Sequence, residues 1–430
     1  MRIALLLPVL SLFAQDPTIR LDVRQVLVPV VVTDKKGHHV TGLRVSDFQI
    51  LEDGVPQDIV SFSADATARV DDVASLSKSP AAAPASASGP RRTYVICVDT
   101  LHTSPAGAGR LKEALVSLFD KEKSTDAQYV LISIGSRLQV LQPATSNPQA
   151  LLLKLRGPAF QSVSGGFDSS AFAAELQNLR SRMDEFCKRC ACTRPAARTC
   201  ESETATLKQN IDAEAARWLA PAAGLAEQFG NVVAELAKLP TARTLILVSD
   251  GFSIDPRRDF YQVVSTYLPN RTEFKKDEAQ DTEPALRDAL KIAADRNVVI
   301  YAIDSRGAAT PSLASTGSMD AGSNGLTGGG GVRNRAAAPT STGLQANPFT
   351  AHESATMDRL ARSTGGVYFH DSADLLKDFR GALADGREYY LLAYTPKNTA
   401  QDGKFRTITV ETRPKDVTIR AKAGYWASAQ

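Results

Sequence analysis

Two aspartates carry the clearest chemical potential in this sequence. Asp99 closes the apolar run 94–98 (YVICV), and Asp250, after Ser249, closes the run 244–248 (TLILV). A carboxylate at the end of a buried strand emerges at the carboxyl edge of its sheet, where crossovers diverge and ligands bind. If the two strands are neighbours, the acids share one crevice. Paired carboxylates with hydroxyls make an oxygen-only set suited to Mg²⁺, which keeps waters that a partner's carboxylate can displace. A blander role is equally open: Asp99 caps its own loop through backbone amides, and Asp250 opens a turn with Gly251.

The second concentration of chemistry is Cys187-x2-Cys190-x-Cys192-x7-Cys200. Four thiols in this spacing could hold zinc, but they lack the paired Cys-x2-Cys pattern of a zinc knuckle and read better as two disulfides. Their connectivity is open. Lys188, Arg189, Arg194 and Arg198 make the same segment a basic knob. Cys97, inside an apolar strand, reads as a buried free thiol. There is no phosphate-binding Gly-x4-Gly-Lys-Ser/Thr loop, no His-Glu-x2-His and no Gly-x-Ser-x-Gly elbow. Gly107-x-Gly109 follows a strand, but Lys112 occupies the third glycine position of a dinucleotide fingerprint. His102 reads as an exposed loop histidine, and Asp304 as a turn contact for Arg306.

Two kinds of element must position these residues. Residues 18–65 alternate short apolar runs with turn signals and read as an N-terminal β module. Residues 66–90 are an Ala/Ser/Pro linker with too little apolar area to bury. From 91 to 386 buried-type strands (94–98, 129–134, 244–248, 298–303) alternate with helices (108–119, 148–155, 170–186, 203–239, 284–296). That order implies crossovers and a mainly parallel sheet with helices on both faces. The Cys-rich insertion 187–200 and a Gly-rich loop at 305–352 interrupt it. From 387 to 430 the β pattern returns in strands that are expected to pack on the N-terminal module as a β-sandwich-like unit.

Composition bounds the partners. The chain has 430 residues, 43% hydrophobic and 23% charged, which is enough apolar material for two or three folded domains. With 50 Lys+Arg against 47 Asp+Glu, the net charge of +3 argues against nucleic acid. Residues 1–14 carry Arg2, the apolar run ALLLPVLSLFA and a terminal Ala14 before polar residues, the pattern of a secretory signal. The run is about half of the ~20 residues a spanning helix needs. After its removal no integral membrane span is expected.

Taken in order, VLVPVVVTDKKGHHVTGLRVSDFQILEDG (26–54), YVICVDTLHTS (94–104), TARTLILVSDGFS (241–253), VVIYAIDSRG (298–307), LARSTGGVYF (360–369), REYYLLAYTP and AGYW resemble the von Willebrand factor type A (VWFA)-related proteins exported by acidobacteria. The resemblance runs over most of the chain. It implies a Rossmann-like α/β domain flanked by β segments, binding or adhesion more than catalysis, and a divalent metal at the top of the sheet. The family's Asp-x-Ser-x-Ser motif falls on Asp99–Thr103, with Leu101 in place of the first hydroxyl and Thr103 matching the second. The threonine loop of the family corresponds to 164–169, where Gly165-Gly166 is present and Asp168 or Ser169 stands for the threonine. Asp250 matches the distal aspartate.

The expectation is therefore an exported, non-enzymatic adhesion protein in the periplasm, at the cell surface or outside the cell. Its ligand would be a protein or envelope component, bound through a degenerate Mg²⁺ site of Asp99, Thr103, Asp250 and Asp168. Two other classes compete: a secreted metal-dependent hydrolase using the same acids, and an envelope scaffold that has lost the site.

Overall fold

The computed structural model describes residues 25–64, 92–122, 126–135, 137–160, 169–190, 199–252, 257–268, 284–307 and 348–427. The expected signal segment 1–14, the linker 66–90, most of the Gly-rich stretch 305–352, Asp168 and Cys192 lie outside these residues.

The described residues form fourteen strands. The first four are β1 (Val26–Asp34), β2 (Phe48–Glu52), β3 (Val55–Gln57) and β4 (Ile59–Ser63). The middle six are β5 (Arg92–Asp99), β6 (Ala127–Ile134), β7 (Gln139–Thr145), β8 (Ala242–Ser249), β9 (Val298–Asp304) and β10 (Tyr368–Phe369). The last four are β11 (Tyr390–Tyr394), β12 (Phe405–Thr412), β13 (Val417–Ala421) and β14 (Gly424–Trp426).

The middle strands form one sheet in the order β10-β9-β8-β5-β6-β7, parallel except at β7, which pairs antiparallel with β6. Every residue of β5 is buried, as a central strand covered on both faces requires. From β5 the chain moves outward to β6 and β7, then returns to the other side of β5 as β8. The sheet therefore changes direction between β5 and β8, the position at which open α/β sheets bind ligands.

Helices cover both faces. On one face α1 (Pro105–Phe119), α2 (Pro148–Arg156) and α8 (Leu375–Asp385) set Leu111, Leu115, Leu151 and Phe379 against Tyr94, Ile96 and Val98 of β5. On the other, α4 (Thr199–Ala237), α6 (Pro284–Arg296) and α7 (Pro348–Thr364) pack Phe229, Leu286 and Met357 over Val95 and Cys97. The outer half of α4 leaves the sheet. With α3 (Ser169–Cys190) and α5 (Arg257–Tyr267) it closes a third core of Leu176, Met183, Phe186, Ile211 and Phe260. A disulfide joins Cys190 to Cys200 between α3 and α4, and Cys187 is also disulfide-bonded. Cys97 is free and buried.

Strands from the two ends of the chain interleave in two antiparallel sheets, β13-β1-β11-β4 and β14-β12-β2-β3. Their shared core holds Val28, Val30, Phe48, Ile50, Tyr390, Leu392, Tyr394 and Tyr425. Neither end could close this core alone: β1 is flanked on both sides by C-terminal strands, and β2 pairs with β12. The module docks beside the amino end of β9. There Lys422 Nζ donates to the Ala294 carbonyl and to Asn297 Oδ1, both at 2.8 Å. Gly365, at φ +89°, lets the end of α7 lie against the Ala421–Lys422 backbone, where a side chain would collide. No helix among the described residues is long and apolar enough to cross a membrane.

Candidate functional site

β5 and β8 deliver Asp99 and Asp250 to the same carboxyl edge, at the point where the sheet changes direction. The loop 100–104 is strung between the two acids. Asp99 is fully buried; its Oδ1 accepts the amides of Leu101 at 2.8 Å and His102 at 3.1 Å. Asp99 Oδ2 accepts the Ser249 hydroxyl at 2.7 Å and lies 2.7 Å from His102 Nδ1. At the far end of the loop, the Ser104 amide donates to Asp250 Oδ2 at 2.8 Å. The Ser305 hydroxyl, just past β9, donates to Asp250 Oδ1. Three neighbouring strands thus contribute to one polar cluster.

Local sequence explains the geometry. Ser104 caps α1, accepting the Gly107 amide at 3.0 Å, and Pro105 begins the helix with a residue that has no amide to satisfy. Gly107 packs its backbone directly on the Asp250 carboxylate, so a Cβ there would overlap the carboxylate oxygens unless Asp250 shifted. Thr100 anchors the start of the loop to the next strand, its hydroxyl donating to the Ile134 carbonyl at 2.9 Å. Arg110 reaches from α1 to the Ser305 carbonyl through Nε at 2.9 Å and Nη2 at 2.7 Å.

Thr103 sits between the residues bound to the two acids. Its side chain is 1% exposed, and Oγ1 has no hydrogen-bond partner. Buried hydroxyls nearly always find a partner, and an exception marks strain, a water or an ion. Leu101, which stands where the family motif has a hydroxyl, is buried in the core over Cys97 and Leu247. That position has been given to packing.

The capping contact expected of Asp99 is present. Asp250 does not open its own turn: it is Ser249 Oγ that accepts the Gly251 amide, at 3.1 Å. His102 is not an exposed loop residue. Its side chain is 4% exposed, because pairing with Asp99 draws the ring inward until it lies 6.3 Å from the Phe252 ring, centroid to centroid. Ser249 and Ser305 escaped sequence reasoning, although each lies beside a strand-ending aspartate. Asp304 holds Arg306 as expected, accepting from its backbone amide at 2.9 Å and from Nη2 at 2.7 Å. Tyr368 also reaches Asp304, and its hydroxyl is pushed up to about 12, chiefly by burial. Burial, reinforced by the Asp99 charge, pushes the Cys97 thiol well above the ordinary range. It is an inert core residue.

The class defined by these observations is a Rossmann-like α/β unit, with a buried polar cluster at its switch point and an antiparallel β module. No family model and no curated protein matches the chain. Among solved structures it is similar to an aerotolerance-related membrane protein from Bacteroides fragilis, at 10% identity and TM-score 0.31, over 68% of this chain and 98% of that one. It is also similar to the conserved hypothetical protein BatB from Bacteroides thetaiotaomicron, at 11% identity and TM-score 0.32, over 68% and 98%. Proximal thread matrix protein 1 from the mussel byssus matches at 10% identity and TM-score 0.30, over 72% of this chain and 49% of that one.

Proposed function

We propose that the chain is an exported recognition protein of the von Willebrand factor A type, without catalytic turnover. It takes an acidic protein or envelope ligand at the crevice formed by Asp99, Thr103 and Asp250. The observation that carries this reading is the Thr103 hydroxyl, buried without a hydrogen-bond partner on a loop tied to a carboxylate at each end. The donor chemistry fits a hard cation: two carboxylates and a hydroxyl on neighbouring segments. Asp99, Thr103 and Asp250 would hold Mg²⁺, which when bound supplies an open coordination position for a ligand carboxylate.

The chain's own residues do the positioning. Ser249 and the amides of Leu101 and His102 orient Asp99. Ser305 and the Ser104 amide orient Asp250, and Gly107 keeps side chains away from it. A binding role rather than a hydrolytic one is supported by the burial of the His102 ring, whose Nε2 is closed off from solvent, and by the burial of the Cys97 thiol. Export is supported by the Cys190–Cys200 disulfide, a bond that persists in oxidising compartments.

The test is calorimetric titration of Mg²⁺ and Mn²⁺ into the full chain, its Thr103→Val variant and its Asp250→Asn variant. Saturable heat in the wild type, weakened in both variants, is expected; no heat in the wild type rejects the cation. A pull-down from envelope extract with and without EDTA then asks whether ligand retention needs the ion.

A further inference from the structure

At the opposite end of the sheet from Asp99, where β5 begins, lies an open hollow of about 690 Å³ that the crevice reading does not use. Arg92, Lys121, Arg380 and Arg387 line it, together with Glu122 and Asp126, over a floor that includes Leu118 and Leu383. These cations come from four separate places: the first residue of β5, the turn after α1, the outer face of α8, and the segment joining α8 to β11.

Two of the four are already engaged. Arg92 donates through Nε to the Gly386 carbonyl at 2.9 Å and pairs with Asp126. Arg387 Nη2 donates to Glu122 Oε2 at 2.9 Å and lies 3.4 Å from the Tyr129 hydroxyl, while its Nε is buried with no hydrogen-bond partner. Lys121 and Arg380 are exposed and make no ion pair with any described residue. The acids answer Arg92 and Arg387 and leave the other two unanswered. The carboxyl ends of α1 and α8 add about half a negative charge each, so a positive excess remains. A guanidinium fixed by an acid and a tyrosine, with two exposed cations beside it, suits a compact oxyanion with several acceptor oxygens.

We infer that this hollow binds a phosphate group, through Arg387, Lys121 and Arg380. Arg387 is the fixed member of the set, and Lys121 and Arg380 close on the anion as it enters. The site is independent of the Asp99 crevice, which lies at the other end of the strands.

Inorganic phosphate titrated into the full chain at constant ionic strength tests it, with the Lys121→Ala/Arg380→Ala double variant and a Lys35→Ala control. Lys121 and Arg380 are exposed, so the fold should survive, and thermal unfolding confirms that it has. One saturable site is expected in the wild type and the control, with affinity at least tenfold weaker in the double variant, a change of about 1.4 kcal/mol. Equal affinity in the double variant, or no saturable heat from the wild type at about 10 mM phosphate, where even a millimolar site would be mostly filled, overturns the inference.

Discussion

His39 Nε2 lies 2.7 Å from Asp385 Oδ1, joining the loop after β1 to the last residue of α8. Arg420 of β13 donates to the same carboxylate through Nη2 at 2.8 Å and also through Nη1. One buried acid therefore receives a side-chain partner from each chain end of the β module. Hydrogen bonding to Asp385 raises His39 above its ordinary value; burial opposes this, the charges of Asp385 and Glu388 add to it, and Arg420 subtracts. Burial alone would push Asp385 up, but the bonds and charges of His39 and Arg420 prevail and hold it below the usual carboxylate range.

The signs of these shifts set a pH window. A raised histidine stabilises the fold fully below its unfolded value of ~6.5, and that contribution disappears as pH rises through the folded value. A lowered aspartate contributes above ~3.9 and is lost as pH falls through its folded value. Unfolding temperature should therefore decline as pH is raised from about 6 to about 8.5. In His39→Gln the decline should flatten, with stability lower by about 1–2 kcal/mol at the acidic end. An unchanged slope in the variant would remove His39 from the account.

Metal-free stability separates the two roles of the crevice. The Thr103 hydroxyl is buried without a partner, so Thr103→Val, which keeps the shape, should be neutral or stabilise the metal-free chain by up to about 2 kcal/mol. Asp99→Ala leaves the amides of Leu101 and His102 and the Ser249 hydroxyl without their acceptor, and should destabilise by about 3 kcal/mol or more. Urea unfolding midpoints in EDTA measure both. Destabilisation by Thr103→Val would mean that the hydroxyl already has work in the metal-free protein.

Much of this arrangement was legible in the sequence. Continuous apolar runs closed by Asp99, Asp250 and Asp304 located the buried parallel strands, and the first two acids were expected at one edge on the condition that their strands were neighbours, which they are. β7 was not legible, because QVLQPAT alternates weakly and contains Pro143. A proline is tolerated on an edge strand, where half of the backbone goes unpaired. Helix α5 (RRDFYQVVSTY) was hidden by β-branched and aromatic residues of low helix propensity; it is held by packing Phe260 and Val264 into the helical lobe. The inward turn of His102 was hidden too, since its partner Asp99 read equally well as a loop cap or a metal ligand.

The Cys190–Cys200 bond spans ten residues of sequence and ties the end of α3 to the start of α4. A loop of this size stabilises by about 2–3 kcal/mol. The loss should be local, because the lobe has a core of its own. In the Cys190→Ser/Cys200→Ser double variant, amide exchange should quicken in residues 176–190 and 200–215 and stay unchanged in β5 and β8. Faster exchange throughout the central sheet would show that the lobe and the sheet unfold as one unit.

Gly107 offers the sharpest test of how tightly the crevice is built. A Cβ there would enter the Asp250 carboxylate, while the Gly107 amide is already given to the Ser104 cap. In Gly107→Ala two effects compete: alanine favours the helix by about 1 kcal/mol, and overpacking opposes it by about 1–3 kcal/mol. The clash wins if Asp250 is held rigidly by Ser305 and the Ser104 amide. Gly107→Ala should then be destabilising, and adding Asp250→Ala, which vacates the space, should recover part of the loss as a coupling between the two sites. The same Gly→Ala change at Gly109, where a Cβ meets nothing within 4 Å, should stabilise the chain. Strict additivity at 107 and 250 in thermal unfolding would show that the carboxylate yields freely and that the crevice is not preorganised.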